Sequence, residues 1–165
     1  MRIISSNVTG PQAGQLTSGL YGPLIVMEPG QKFDPATDKI FIVGRSCPDE
    51  DEGSELLLNG SPQPQPVAWK LGTKYHLRFI NVGTNDSDMI VSIIGDDAKP
   101  TSWRAVAKDG WTLPAALAVM QPASQLVTVG ETYDFEFMPE HGGEYTLRVG
   151  MRFVKISLSQ SLTVR

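Results

Sequence analysis

The chain has 165 residues, of which 19% are charged and 41% hydrophobic. That is enough to bury a core in one domain, and the balance excludes a disordered chain. Fourteen basic against eighteen acidic residues leave a net charge of -4 with no basic cluster, so neither a nucleic-acid nor a membrane partner is expected. The single cysteine, Cys47, excludes an intramolecular disulfide and any multi-cysteine zinc site, and the two histidines, His76 and His141, exclude any metal site that needs three imidazoles.

In chain order, the start MRIISSNVTGPQAG (1–14) has no apolar run long enough for a signal peptide, which leaves localisation open. Asn7–Val8–Thr9 forms a glycosylation sequon, a pattern common by chance. LTSGLYGPLIVMEPG (16–30) contains one strand-like run, LIVM (24–27), closed by Pro29–Gly30. Residues 1–32 therefore read as an N-terminal extension, and 33–165 as one complete domain. Short continuous apolar runs follow at 40–43, 56–58, 89–94 and 103–107. Between them lie turn clusters such as GTNDSD (83–88) and GDDAKP (95–100). Other segments alternate with period two. Tyr75, Leu77 and Phe79 oppose His76 and Arg78, and Tyr133, Phe135 and Phe137 oppose Asp134 and Glu136. Tyr145, Leu147 and Val149 oppose Thr146 and Arg148, while Ile156, Leu158, Leu162 and Val164 alternate with polar residues. Twelve prolines spread along the chain leave little room for helices. The pattern predicts an all-β antiparallel sandwich of nine to ten strands. Its expected core includes Leu57, Leu77, Phe79, Ile93, Tyr133, Phe135, Tyr145, Leu147, Ile156 and Leu158.

Six stretches, in order, resemble the multicopper oxidase family around its second cupredoxin domain. SGLYGPLIV (18–26) is similar to the strand that closes the first domain of that family. LLLNG (56–60), YHLRFINVG (75–83), AKDGWTLP (107–114), VGETYDFEF (129–137) and GGEYTLRV (142–149) resemble successive elements of the second. The resemblance implies a cupredoxin-like Greek-key β-sandwich, in a family that oxidises substrates with copper and is often periplasmic or secreted. It also implies that this domain, in three-domain members, carries no copper of its own. The family's copper motifs are absent. Its second His-x-His would fall near Asn7–Val8–Thr9, where Asn and Thr are poor copper ligands.

The remaining candidates favour structural roles. Cys47 lies early in the chain with no histidine following for 28 positions, so a blue copper site from Cys47, His76, His141 and a methionine is not expected. The acidic run Asp49, Glu50, Asp51, Glu52 and Glu55 lacks the spacing of a calcium loop and reads as a solvated loop. Asp109 precedes Gly110 in a turn, and Asp134 and Glu136 face outward without a cleft histidine, which leaves no acid/base case. Trp69, Trp103 and Trp111 read as core or edge packing. The expectation is a domain with no catalytic, cofactor-binding or metal-ligating residue and a structural role. A free-standing binding or assembly module, or one part of a split oxidase, are the alternatives. The strand expected between Leu16 and Met27, left without a native sheet, either folds back onto an edge of its own sandwich or adds to the sheet of a second molecule, and self-association is the favoured expectation.

Overall fold

The computed structural model describes residues 18–27, 29–46, 55–84 and 87–165. Twelve strands and no helix occur among them: β1 (Asp38–Arg45), β2 (Leu56–Leu58), β3 (Val67–Trp69), β4 (Tyr75–Asn81), β5 (Met89–Ile94), β6 (Ser102–Lys108), β7 (Trp111–Thr112), β8 (Met120–Pro122), β9 (Ser124–Val127), β10 (Thr132–Phe137), β11 (Gly143–Met151) and β12 (Ser157–Val164). They form two mixed sheets. The first runs β2-β1-β4-β10-β6-β7, with β8 also on β6, and the second runs β3-β12-β11-β5-β9. Two neighbouring pairs, β1 with β4 and β3 with β12, are parallel, and the other pairs are antiparallel.

The period-two segments place one face of each strand inward, and those faces meet as a single core between the sheets. Trp103 stacks on Phe135 with ring centroids 4.0 Å apart, and Phe79 packs at 5.7 Å from Trp103. Leu77, Ile93, Leu147 and Leu158 fill the layer. Burying a large side chain of this kind contributes about 1.5–3 kcal/mol each. β8 lies in the first sheet and β9 in the second, with fully buried Ala123 between them. Its N–H donates to the Thr101 carbonyl at 2.7 Å and its carbonyl accepts from Ile93 N–H at 3.0 Å, which ties the two sheets at this corner.

Four expectations are corrected. Leu56 and Leu58, not Leu57, enter the core, because β1 pairs through Val43 with Leu58 and Arg45 with Leu56 and so sets the opposite parity. Ile156 shares the parity of Leu158 but precedes β12 and is exposed. The run at 24–27 forms no strand. Tyr21, just before it, packs instead on a second apolar cluster of Ile42, Ile80 and Val82 on the outer face of the first sheet. That cover explains why β1 reads as a continuous apolar run and why the end of β4 at Phe79 and Ile80 is apolar on both faces, since both faces are buried there. Four short strands, β3, β7, β8 and β9, raise the count above the nine to ten expected, because two to four residues are too few to show a period.

Candidate functional site

The motifs that carry the family resemblance hold the fold together. In LLLNG, Asn59 adopts a left-handed φ of 51° and Gly60 one of 82°, the pair of positive φ values that a tight I′-type turn requires. The Asn59 side chain then reaches β1, accepting from Ile42 N–H at 2.7 Å and donating to the Ile40 carbonyl at 2.9 Å. In YHLRFINVG, fully buried Asn81 donates to the carbonyls of Ser87 and Val127 and accepts from Gly83 N–H, which joins the end of β4 to β9. In AKDGWTLP, Asp109 and Gly110 make a second turn of positive φ, and the Asp109 carboxylate accepts from Thr132 N–H at 2.9 Å. In VGETYDFEF, Glu131 accepts from Thr128 N–H and Asp134 from Arg78.

Pairing register converts the outward residues into rows across the first sheet. One row runs Asp38, His76, Glu136, Arg104, Met120 over β1, β4, β10, β6 and β8. The next sets Ile40 beside Arg78, Asp134 and Ala107, and the third sets Ile42 beside Ile80 and Thr132. Arg78 Nη1 donates to Asp134 Oδ2 at 2.6 Å, with both side chains buried. His76 bridges Asp38 at 3.5 Å through Nδ1 and Asp134 at 3.5 Å through Nε2. Asp134 is thus buried beside a histidine, contrary to the expectation that it faces solvent alone. Burial would raise the Glu136 carboxyl, but two hydrogen bonds from Arg104, at 3.0 and 2.7 Å, and the charges of Arg104 and Lys74 outweigh it and hold the group below the usual carboxylate range.

The Glu136–Arg104–Met120 end of the first row opens into a groove of about 630 Å³. Its floor is Phe137 and Tyr145, with Met120, Met138, Pro139 and Lys74 around it. His141 lines the same groove from the turn between β10 and β11, where its carbonyl accepts the Tyr145 hydroxyl at 2.9 Å. Nothing periodic in the sequence marks this groove, since its residues come from separate segments and it exists only once β6, β8 and β10 of the first sheet meet β11 of the second. Of the tryptophans, Trp69 and Trp103 are core, stacked on Tyr75 and Phe135. Trp111 is 81% exposed on the edge strand β7. Asp109 sits at its turn with positive φ, but its carboxylate ties the turn to Thr132 N–H on β10 rather than capping its own backbone. Cys47, Asp49 to Glu52 and Asn7–Val8–Thr9 lie outside the described residues.

The described donors do not suit copper. Both ring nitrogens of His76 face charged neighbours, and Nδ1 lies 3.3 Å from the Arg78 guanidinium, which would repel a metal ion. Among the described residues no three His, Cys, Asp or Glu side chains converge as a metal-binding group. No described helix is long and apolar enough to cross a membrane.

The architecture is that of a cupredoxin-like β-sandwich. No family profile and no curated protein sequence matches the chain. Solved structures do. A multicopper oxidase matches at 17% identity with a TM-score of 0.76, over 95% of this chain and 54% of that one. A blue copper oxidase from Nitrosomonas europaea matches at 18% identity and a TM-score of 0.57, over 78% of this chain and 44% of its own. A bacterial laccase-like multicopper oxidase from Ochrobactrum sp. matches at 19% identity and 0.58, over 79% and 31%. The chain thus spans about half the length, or less, of the proteins it resembles. At such identities the likeness establishes the fold, which is the one expected from the sequence motifs.

Proposed function

We propose that this chain is a copper-free cupredoxin domain of a multicopper oxidase-type protein, with a structural role and no oxidation chemistry of its own. The observation that carries the reading is the donor inventory. A blue copper centre takes two imidazoles, a thiolate and an axial ligand. The chain offers two histidines and one cysteine in all, and His76 is committed to an ion-pair network with Asp38, Arg78 and Asp134. The use of the shared motifs for turns and strand ties supports the same view. Metal analysis and an absorption spectrum after copper loading test it. The expected result is no intense thiolate-to-copper band in the visible and no copper-dependent turnover of phenols or ferrous iron. A band that survives repurification and disappears on replacing His76 and His141 refutes it.

Self-association through the segment ending at Met27 is part of the proposal. Leu24 is 56% and Val26 67% exposed, so these side chains gain by meeting a partner. Sedimentation at micromolar concentration is expected to show a dimer or small oligomer that a Leu24→Asp/Val26→Asp variant converts to monomer. A wild-type chain that runs as a monomer rejects this part alone.

A further inference from the structure

We propose that Asn59–Gly60 is a site of conditional chemical modification: the folded turn blocks its deamidation, the unfolded chain permits it, and the product no longer fits the turn. The chemistry belongs to the dipeptide. The Gly60 backbone nitrogen gives its proton to solvent hydroxide and attacks Asn59 Cγ. The N–Cγ bond forms, the Cγ–Nδ2 bond breaks, and Nδ2 takes a proton from water and leaves as ammonia. Water then opens the cyclic imide at Cγ, giving aspartate, or at the backbone carbonyl carbon, giving isoaspartate. A side chain on the attacking residue would crowd its nitrogen, and glycine has none. Among the asparagines only Asn59 precedes a glycine, whereas Asn7, Asn81 and Asn85 precede Val8, Val82 and Asp86.

The folded turn opposes the attack. Asn59 at φ 51° and Gly60 at φ 82° are closed in by Leu58 N–H on the Ser61 carbonyl at 2.9 Å and Ser61 N–H on the Leu58 carbonyl at 3.1 Å. Both ends of the side-chain amide are held by β1. Oδ1 accepts from Ile42 N–H at 2.7 Å, and Nδ2 donates to the Ile40 carbonyl at 2.9 Å. The Asn59 N–H donates to the Ile42 carbonyl at 2.8 Å as well. The ladder between β1 and β2 ends with Val43 opposite Leu58, so the amide continues it past the last strand pair. For the Gly60 nitrogen to attack, the amide must turn its face toward it and give up both bonds to β1. Asn59 and Gly60 are exposed, so hydroxide and water reach them, and the protection comes from these bonds rather than from burial. The product cannot restore them. An aspartate oxygen in place of Nδ2 sets an acceptor against the Ile40 carbonyl, and isoaspartate adds a carbon to the main chain of a two-residue turn. A chain that stays unfolded is therefore altered irreversibly, and it refolds to a weaker turn.

Incubating the full chain in mildly alkaline buffer, with and without guanidinium chloride, tests the proposal. Tryptic peptides are then followed by mass spectrometry, with isoaspartate told from aspartate by resistance to a protease that cleaves at aspartate. The peptide holding Asn59 is expected to gain one mass unit at least about tenfold faster in the unfolded chain, since the folded protein reacts only from the opened turn. Isoaspartate and aspartate are both expected there, while the other asparagines keep their amides. Asn59→Asp is expected to lower the urea midpoint by roughly 0.5 M or more, as an acceptor replaces the donor to Ile40. Equal rates in the folded and unfolded chain, conversion of another asparagine as fast as Asn59 in the unfolded chain, or a wild-type midpoint in Asn59→Asp would each overturn the proposal.

Discussion

Replacing Asp134 by Ala probes the most strongly committed charge in the molecule. Arg78 and Asp134 are 9% and 6% exposed and lie directly opposite each other on β4 and β10. Without Asp134, the guanidinium keeps Asp38 at 3.5 Å and His76 at 3.3 Å, while Arg78 Nε already has no hydrogen-bond partner. Removing one member of a buried ion pair leaves the other charge desolvated and under-compensated, a cost of about 3–5 kcal/mol. Against a total stability of roughly 5–15 kcal/mol this is a fifth or more. At about 2–4 °C per kcal/mol for a chain of this length, the melting temperature should fall by roughly 6–20 °C. The double variant Arg78→Met/Asp134→Leu removes both charges and should recover most of that loss, because the penalty is the stranded charge rather than the missing attraction. Urea unfolding followed by the fluorescence of Trp69 and Trp103 measures both. A loss below about 1 kcal/mol in the single variant, the worth of a solvated surface pair, or a double variant less stable than the single, refutes the reasoning.

Other expectations follow from neighbouring features. Phe135→Ala, which removes the ring stacked on Trp103, and Leu147→Ala should each cost about 2–5 kcal/mol by urea titration, and near-zero loss at both would contradict the strand registers. Gly83→Ala should cost roughly 1–3 kcal/mol, since its Cβ would stand 2.4 Å from Ser87 Cβ and 2.9 Å from Asn81 Oδ1; an unchanged denaturation midpoint would show that the loop yields freely. Because the folded protein holds the Glu136 carboxyl below its ordinary value of 4.5, Glu136 adds stability above that pH and the addition fades as pH falls through its folded value. Wild type should therefore exceed Glu136→Gln in stability at pH 7 and converge with it in acid. A gap that widens on acidification would reverse the sign of the argument.

The alternating segments at 75–79, 133–137, 145–149 and 156–164 specify β4, β10, β11 and β12 and most of the inward faces, because a period of two leaves a sheet only one way to bury its apolar side. The scarcity of imidazoles is equally a property of composition, readable before any folding. The order of the six motifs carried the cupredoxin-like architecture, since turn pairs such as Asn59–Gly60 and Asp109–Gly110 state their backbone geometry locally.

Pairing between distant segments decided the rest. Leu57 yields its core place to Leu56 and Leu58 because β1 sets the parity of a strand too short to set its own. The run at 24–27 is apolar enough for a strand, yet it forms none, and the outer cluster is met by Tyr21 instead. Asp134 alternates like a solvent-facing residue and is nonetheless buried, because register places Arg78 across from it. The groove joins Lys74, Arg104, Met120, Glu136 and Tyr145, which share no local pattern. A local sequence encodes which way a side chain points along its own strand. What stands opposite it depends on loop closure and sheet register, which are settled only when the whole sandwich forms.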